Sequence, residues 1–136
     1  MDFSCVGTDS KGQYYMKYNK PFSFAERIQL LERSILVNSF AYYILDDNIL
    51  NDFQYDDNAK ELAELKKERP EDFKRSRYYE YFKDYCSDDG TVFTSGFDLL
   101  ERVRKADYDL YSRLHEDASL ALRLKYNMKE RRDDHV

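Results

Sequence analysis

The sequence predicts a mainly α small helical bundle, and three observations carry that expectation. Apolar residues recur at three- and four-residue spacing over long stretches. Two capping signatures, Ser23 with Glu26 and Asn51 with Gln54, each stand at the head of such a stretch. Glycine (4) and proline (2) are too scarce in 136 residues for a turn-dense β architecture. At this length a single domain is expected, 1–136, divided into an arm (1–20), a helical hairpin (21–73), an extension (74–128) and a charged tail (129–136).

The arm holds Gly7, Asp9, Ser10 and Gly12, then Tyr14, Tyr15 and Tyr18, which suits a turn-rich segment with one short hairpin. Pro21-Phe22-Ser23 reads as a helix entrance with Ser23 as N-cap. The first helix is expected over 24–45, with Ile28, Leu31, Ile35, Tyr42 and Leu45 on its buried stripe. Asp46-Asp47-Asn48 interrupts the pattern. A second helix is expected over 52–68, burying Phe53, Ala59, Leu62 and Leu65, and Pro70 ends or restarts it.

Residues 73–85 carry six aromatics, Phe73, Tyr78, Tyr79, Tyr81, Phe82 and Tyr85, and predict a third helix whose rings serve a core or interface. Ser87-Asp88-Asp89-Gly90 stops it, and 91–94 is briefly extended. A long last helix is expected over 97–127, with Phe97, Leu100, Val103, Leu110, Leu114, Ala121 and Lys125 in register. Its length suits a bundle edge or a homodimer seam. His115 within it reads as solvated or half-buried, and His135 as part of the tail.

Charged residues make up 36% of the chain, but 13 Tyr and 9 Phe supply core volume, so the charge does not imply disorder. The net charge of −5 disfavours direct duplex DNA binding and allows docking into basic clefts of other proteins. Cys5 and Cys86 form no Cys-x-x-Cys pair, which argues against a zinc knuckle and fits a reduced cytosolic compartment. No signal-peptide pattern and no apolar run of membrane-spanning length are visible, so a cytoplasmic location without membrane contact is expected.

The segment between the first two helices concentrates the chemistry. Tyr42 and Tyr43 close one helix; Asp52, Tyr55 and Asp56 open the next and share a face at i, i+3 and i+4. Aromatic faces stack on a planar ring, and carboxylates accept from amide or ribose donors and favour a cationic ring. A positively charged nicotinamide fits that set. The alternative is that the tyrosines are packing residues and the aspartates serve the helix dipole.

This stretch resembles the N-terminal Ia domain of bacterial NAD-dependent DNA ligases, which grips the nicotinamide mononucleotide half of NAD. The family pattern is Tyr-His, then nine residues later Asp-x-x-Tyr-Asp, then a Glu-Leu-rich helix ending near His-Pro-Glu. Tyr42, Asp52, Tyr55 and Asp56 match it without a gap, as do Glu61-Leu62 and Arg69-Pro70-Glu71. The resemblance covers about residues 27–73. The family histidine is Tyr43 here, and a phenol can stack or donate but cannot perform imidazole's proton chemistry. The resemblance implies NAD or nicotinamide mononucleotide as ligand, with Tyr42, Tyr43, Asp52, Tyr55 and Asp56 as its binding residues, and no metal. The ligase-related type found in phages, acting in a bacterial host cytoplasm, is the expected setting.

Three functions follow as expectations. The first is a non-catalytic module binding a nicotinamide nucleotide or a separate ligase-type partner. Adenylation needs a Lys-x-Asp-Gly nucleophile, and neither Lys105-Ala106-Asp107-Tyr108 nor Ser87-Asp88-Asp89-Gly90 qualifies, so the chain is expected to be no enzyme and not to join DNA by itself. The alternative is a phage-encoded acidic inhibitor of a host defence nuclease, of the anti-CRISPR kind directed at Cas9-type enzymes, acting by nucleic-acid mimicry. The region 46–72 favours it, with ten Asp or Glu against four Lys or Arg. The third is a small enzyme processing nicotinamide nucleotides, for which no nucleophile–base pair or Gly-rich phosphate loop is visible.

Overall fold

The computed structural model describes residues 14–17, 20–86 and 91–134, and the side chains of 23–86 and 91–128. Expectations on the remaining positions, including the turn-rich start, Cys5, the stop at 87–90 and His135, lie outside the described residues. Two short strands, β1 (Tyr14–Lys17) and β2 (Lys20–Ser23), pair antiparallel with Tyr14 opposite Ser23. Six helices follow among the described residues: α1 (Phe24–Tyr43), α2 (Asp52–Glu68), α3 (Pro70–Lys74), α4 (Tyr79–Phe82), α5 (Gly96–Ala106) and α6 (Tyr108–Asp134). The architecture is a small helical bundle with a long C-terminal helix.

Both capping boxes form. Ser23 Oγ accepts from the Glu26 amide while Glu26 reaches back to the Ser23 amide, and Asn51 and Gln54 repeat the arrangement at α2. α1 is the central helix. Its residues Ile28, Leu31, Ile35, Leu36 and Phe40 are all buried, and α2, α5 and α6 pack around it. Each such side chain removed from water contributes roughly 1.5–3 kcal/mol, so this one helix anchors the fold. Arg27 and Glu61 form a bidentate pair at 2.6 Å that fixes α2 against α1. Arg33 bonds Asp117 and ties α1 to α6.

α1 also buries Glu32 completely. The Ser76 hydroxyl donates to its Oε1, and its Oε2 has no hydrogen-bond partner. Burial outweighs the Ser76 bond and pushes this carboxyl up to about 8.

Several expectations need correction. Tyr42 is exposed rather than part of the buried stripe, because α1 ends at Tyr43 where the core has run out. Phe53 is 73% exposed. It lies about 120° around α2 from the axis through Ala59, Leu62 and Ala63 at 100° per residue. The third helix over 73–85 is two short helices, because Ser76 and Arg77 turn the chain and the Ser76 hydroxyl accepts from the Tyr78 amide. Phe73, Tyr78, Phe82 and Tyr85 are nonetheless buried, so the aromatic cluster is core. The last helix is broken at Asp107 (φ −153°, ψ 86°), whose carboxylate accepts from the Leu110 amide and caps α6. The break lets α5 and α6 each lie along α1. Phe97 and Lys125, expected on the buried stripe of that helix, are exposed.

Candidate functional site

The turn after α1 is built by the backbone. The amides of Ile44 and Leu45 both donate to Phe40 O, and the Asp47 amide donates to Ala41 O. Asp46 sits at φ +56°, a left-handed conformation that Asp tolerates better than most residues. Asn38 Oδ1 then accepts from the Leu50 amide at 3.1 Å, folding the loop back onto α1. α6 holds the same loop from outside. Lys125 Nζ donates to Asn48 O, and the Tyr126 hydroxyl donates to Asp47 Oδ2. That bond, with the Asn48 amide on the same carboxylate, holds Asp47 below the usual carboxylate range.

The turn and the start of α2 enclose a cleft of about 330 Å³. All five residues singled out from the sequence, Tyr42, Tyr43, Asp52, Tyr55 and Asp56, line it. Asp52 and Asp56 stand one helical turn apart with exposed carboxylates. Tyr55 is half-buried, and its hydroxyl lies 3.1 Å from Ser39 Oγ on α1. Tyr42 and Tyr43 meet edge to face at 4.9 Å, and Tyr43 meets Phe97 in the same manner at 6.0 Å, so an aromatic ladder runs from α1 to α5. Partial burial, reinforced by Tyr55 and Tyr42, raises the Tyr43 phenol above its ordinary pKa, so it remains a neutral donor at physiological pH.

The opposite wall is one that sequence reasoning missed. It comes from Tyr85, Val92, Thr94, Ser95 and Gly96. A short bridge between Cys86 and Val92, with the Phe93 amide donating to Tyr85 O at 2.8 Å, brings this segment across. Ser95 caps α5 by accepting from the Asp98 amide. The Ser95/Asp98 spacing was the signal available in the sequence. Gly96 is required by close approach: a Cβ there would lie 2.4 Å from Ser39 Oγ and 3.0 Å from Tyr43 Cε2.

Tyr85 is 1% exposed, and its hydroxyl sits beside that of Tyr55 but outside hydrogen-bond geometry, without a partner. Burial pushes this phenol well above its ordinary range. A buried hydroxyl left unpaired costs about 1–3 kcal/mol. Among the residues lining the cleft none is Lys, Arg or His. Among the described residues, no three His, Cys, Asp or Glu side chains come together as a metal ion would need. No helix among the described residues is long and apolar enough to cross a membrane.

The cleft's first wall falls in the part of the chain that has relatives. Residues 21–76 match the family described as the DNA ligase-like, N-terminal NAD+-binding domain. A DNA ligase of Petrotoga mobilis (strain DSM 10674 / SJ95) is 41% identical over 51 residues. Those residues are 38% of this chain and 8% of the ligase, so the chain corresponds to a small part of that relative. No solved structure matches the chain significantly. The hairpin of α1 and α2 is therefore similar to the ligase NAD+-binding domain, and the second wall, from Tyr85 to Gly96, lies outside the matched segment.

Proposed function

We propose that the chain is a non-catalytic module that binds a nicotinamide nucleotide, NAD or nicotinamide mononucleotide, in the cleft between the start of α2 and the start of α5. The observation that carries this reading is the convergence of Tyr42, Tyr43, Asp52, Tyr55 and Asp56 on one cleft of about 330 Å³, within the range of small-ligand sites. The aromatic ladder offers edges and faces to a flat ring. Asp52 and Asp56 favour a positive ring over a neutral one, and their oxygens accept from ribose hydroxyls or a carboxamide. The Tyr43 phenol, where the ligase pattern has histidine, donates a hydrogen bond and carries no proton through the reaction range. Nothing lining the cleft pairs a nucleophile with a base, which favours binding over chemistry. A ligase-type core on another polypeptide is the partner such a module would serve, and a single domain over 1–136 is the unit proposed to fold around it.

Calorimetric titration of the chain with NAD and with nicotinamide mononucleotide tests the reading. Binding is expected, with Asp52→Ala and Tyr55→Ala each weakening it tenfold or more; no heat with either nucleotide sinks it. A second reading, an acidic inhibitor that occupies a basic nucleic-acid channel of a nuclease, is favoured by one observation. Phe53 protrudes at 73% exposure among the exposed Asp52, Asp56 and Asp57, an aromatic in an anionic surround. Competition with DNA for a purified Cas9-type nuclease checks it, and nuclease activity unchanged at excess protein rejects it.

A further inference from the structure

We propose that a groove on the opposite side of α1 from the cleft is a phosphate-binding site, in which Arg33, Arg77 and Arg113 receive the oxygens of a phosphate group, free as in pyrophosphate or borne on a nucleic-acid strand. The site is separate from the nicotinamide-nucleotide reading and does not depend on it.

The groove holds about 440 Å³ and lies where α1, the turn before α4, and α6 meet. Each of these three elements contributes one of the arginines. At 100° and about 1.5 Å per residue, Arg33 and Tyr42 point to opposite sides of α1 and stand about 14 Å apart along its axis. That exceeds the roughly 8 Å over which exposed charges act at physiological ionic strength, so the acidic cleft does not set the potential in the groove.

Bringing like charges together has a cost, which a neighbouring carboxylate ordinarily offsets. For Arg33 one does: it bonds Asp117 and the Tyr78 hydroxyl, which fixes its guanidinium at the groove. Arg77 lies 5.4 Å from the centroid of the same Tyr78 ring, which is 5% exposed and so gives both arginines a rigid support. Arg77 and Arg113 are exposed and pair with no carboxylate among the described residues, in a chain with 27 Asp and Glu. The carboxylate that lines the groove, Glu26, is already engaged, accepting from the Ser23 amide and hydroxyl.

Three guanidinium groups against one carboxylate select an anion, and their number selects its kind. A carboxylate has one charge and two oxygens, which a single guanidinium fork satisfies. A terminal phosphate has more charge and a third oxygen, and it engages donors arriving from several directions. Arg33 lies within residues 21–76, whereas Arg77 and Arg113 lie beyond them, so the groove exists only where the C-terminal extension folds against the ligase-like hairpin.

The full chain and the double variant Arg77→Gln/Arg113→Gln test this. Each is titrated calorimetrically, at one ionic strength, with pyrophosphate, with a single-stranded thymidine oligonucleotide and with a tri-aspartate peptide. Arg33 is left in place because it ties α1 to α6. The two replaced side chains are exposed and without ion pairs, so the variant is expected to melt no lower than the natural chain. The natural chain is expected to bind pyrophosphate, and the variant to bind it at least about tenfold more weakly, because a hydrogen bond to a charged group is worth about that factor. Oligonucleotide binding with the same loss in the variant assigns the groove to strand-borne phosphate; binding of pyrophosphate without the oligonucleotide assigns it to a free one. No heat with either phosphate ligand, equal phosphate affinity in the variant, or tri-aspartate bound as tightly as pyrophosphate overturns the inference.

Discussion

The buried carboxyl of Glu32 makes the stability of this protein depend on pH in a way that one atom-for-atom replacement removes. In the folded chain its pKa stands at about 8, against an ordinary 4.5. A raised pKa means that the folded state holds the proton more tightly than the unfolded state. The associated stability is fully present below about pH 4.5 and is lost as pH rises to about 8. Each pH unit between those limits carries about 1.4 kcal/mol, so the interval from pH 5 to pH 8 costs the fold on the order of 3 kcal/mol. For a chain of 136 residues that is a shift of roughly 10 °C in melting temperature. Glu32→Gln keeps the shape and abolishes the titration. Its amide adds N–H groups in a place where Oε2 now finds no partner, so the whole curve is displaced by a constant. The slope is therefore the quantity to read. Melting followed by circular dichroism at pH 5, 6, 7 and 8 is expected to fall steadily for the natural chain. For Glu32→Gln it is expected to stay nearly flat. The carboxylates held low, Asp47, Asp84 and Glu101, titrate below this window and leave it undisturbed. Parallel curves for the two proteins would refute the assignment of a neutral, buried Glu32.

Two other substitutions probe the packing. Gly96→Ala forces a methyl to within 2.4 Å of Ser39 Oγ and is expected to cost about 1–3 kcal/mol in urea unfolding. Adding Ser39→Gly should return much of that loss, and strict additivity of the two changes would contradict the close approach. Phe53→Ser is expected to change stability by less than about 0.5 kcal/mol, since the ring is 73% exposed, and a loss above 1 kcal/mol would restore it to the core.

The hairpin was legible because its signals are local. Ser23 with Glu26 and Asn51 with Gln54 satisfy their own helix ends and fix the starts of α1 and α2 to the residue, and Pro70 marks where α2 gives way to α3. That Tyr42, Tyr43, Asp52, Tyr55 and Asp56 would meet around one cleft was legible because three of them share one turn of that helix. What escaped the sequence depends on distant partners. The aromatics of 73–85 read as one helix because ring spacing says nothing of Ser76, whose hydroxyl is claimed by Glu32 forty-four residues earlier. Asp107 fell inside the helix expected over 97–127, and its role as a cap shows only where α5 and α6 both pack on α1. The misplacement of Phe53 was of another kind, since angular position around α2 already separates it from Ala59 and Leu62. The second wall was invisible for a physical reason too: Gly96 and Ser39 lie 57 positions apart in the chain, and only folding makes the small residue necessary.

The grip of Lys125 and Tyr126 on Asn48 and Asp47 bears on what an arriving molecule must do. A segment of bends and turns between two helices would ordinarily sample many shapes, and a visitor would have to wait for the fitting one or impose it. Here that narrowing happens while the protein matures from a random coil, long before any encounter. Under the proposed nucleotide-binding role, recognition then proceeds as docking onto a ready-cut mould, and its strength reflects contacts made rather than freedom surrendered.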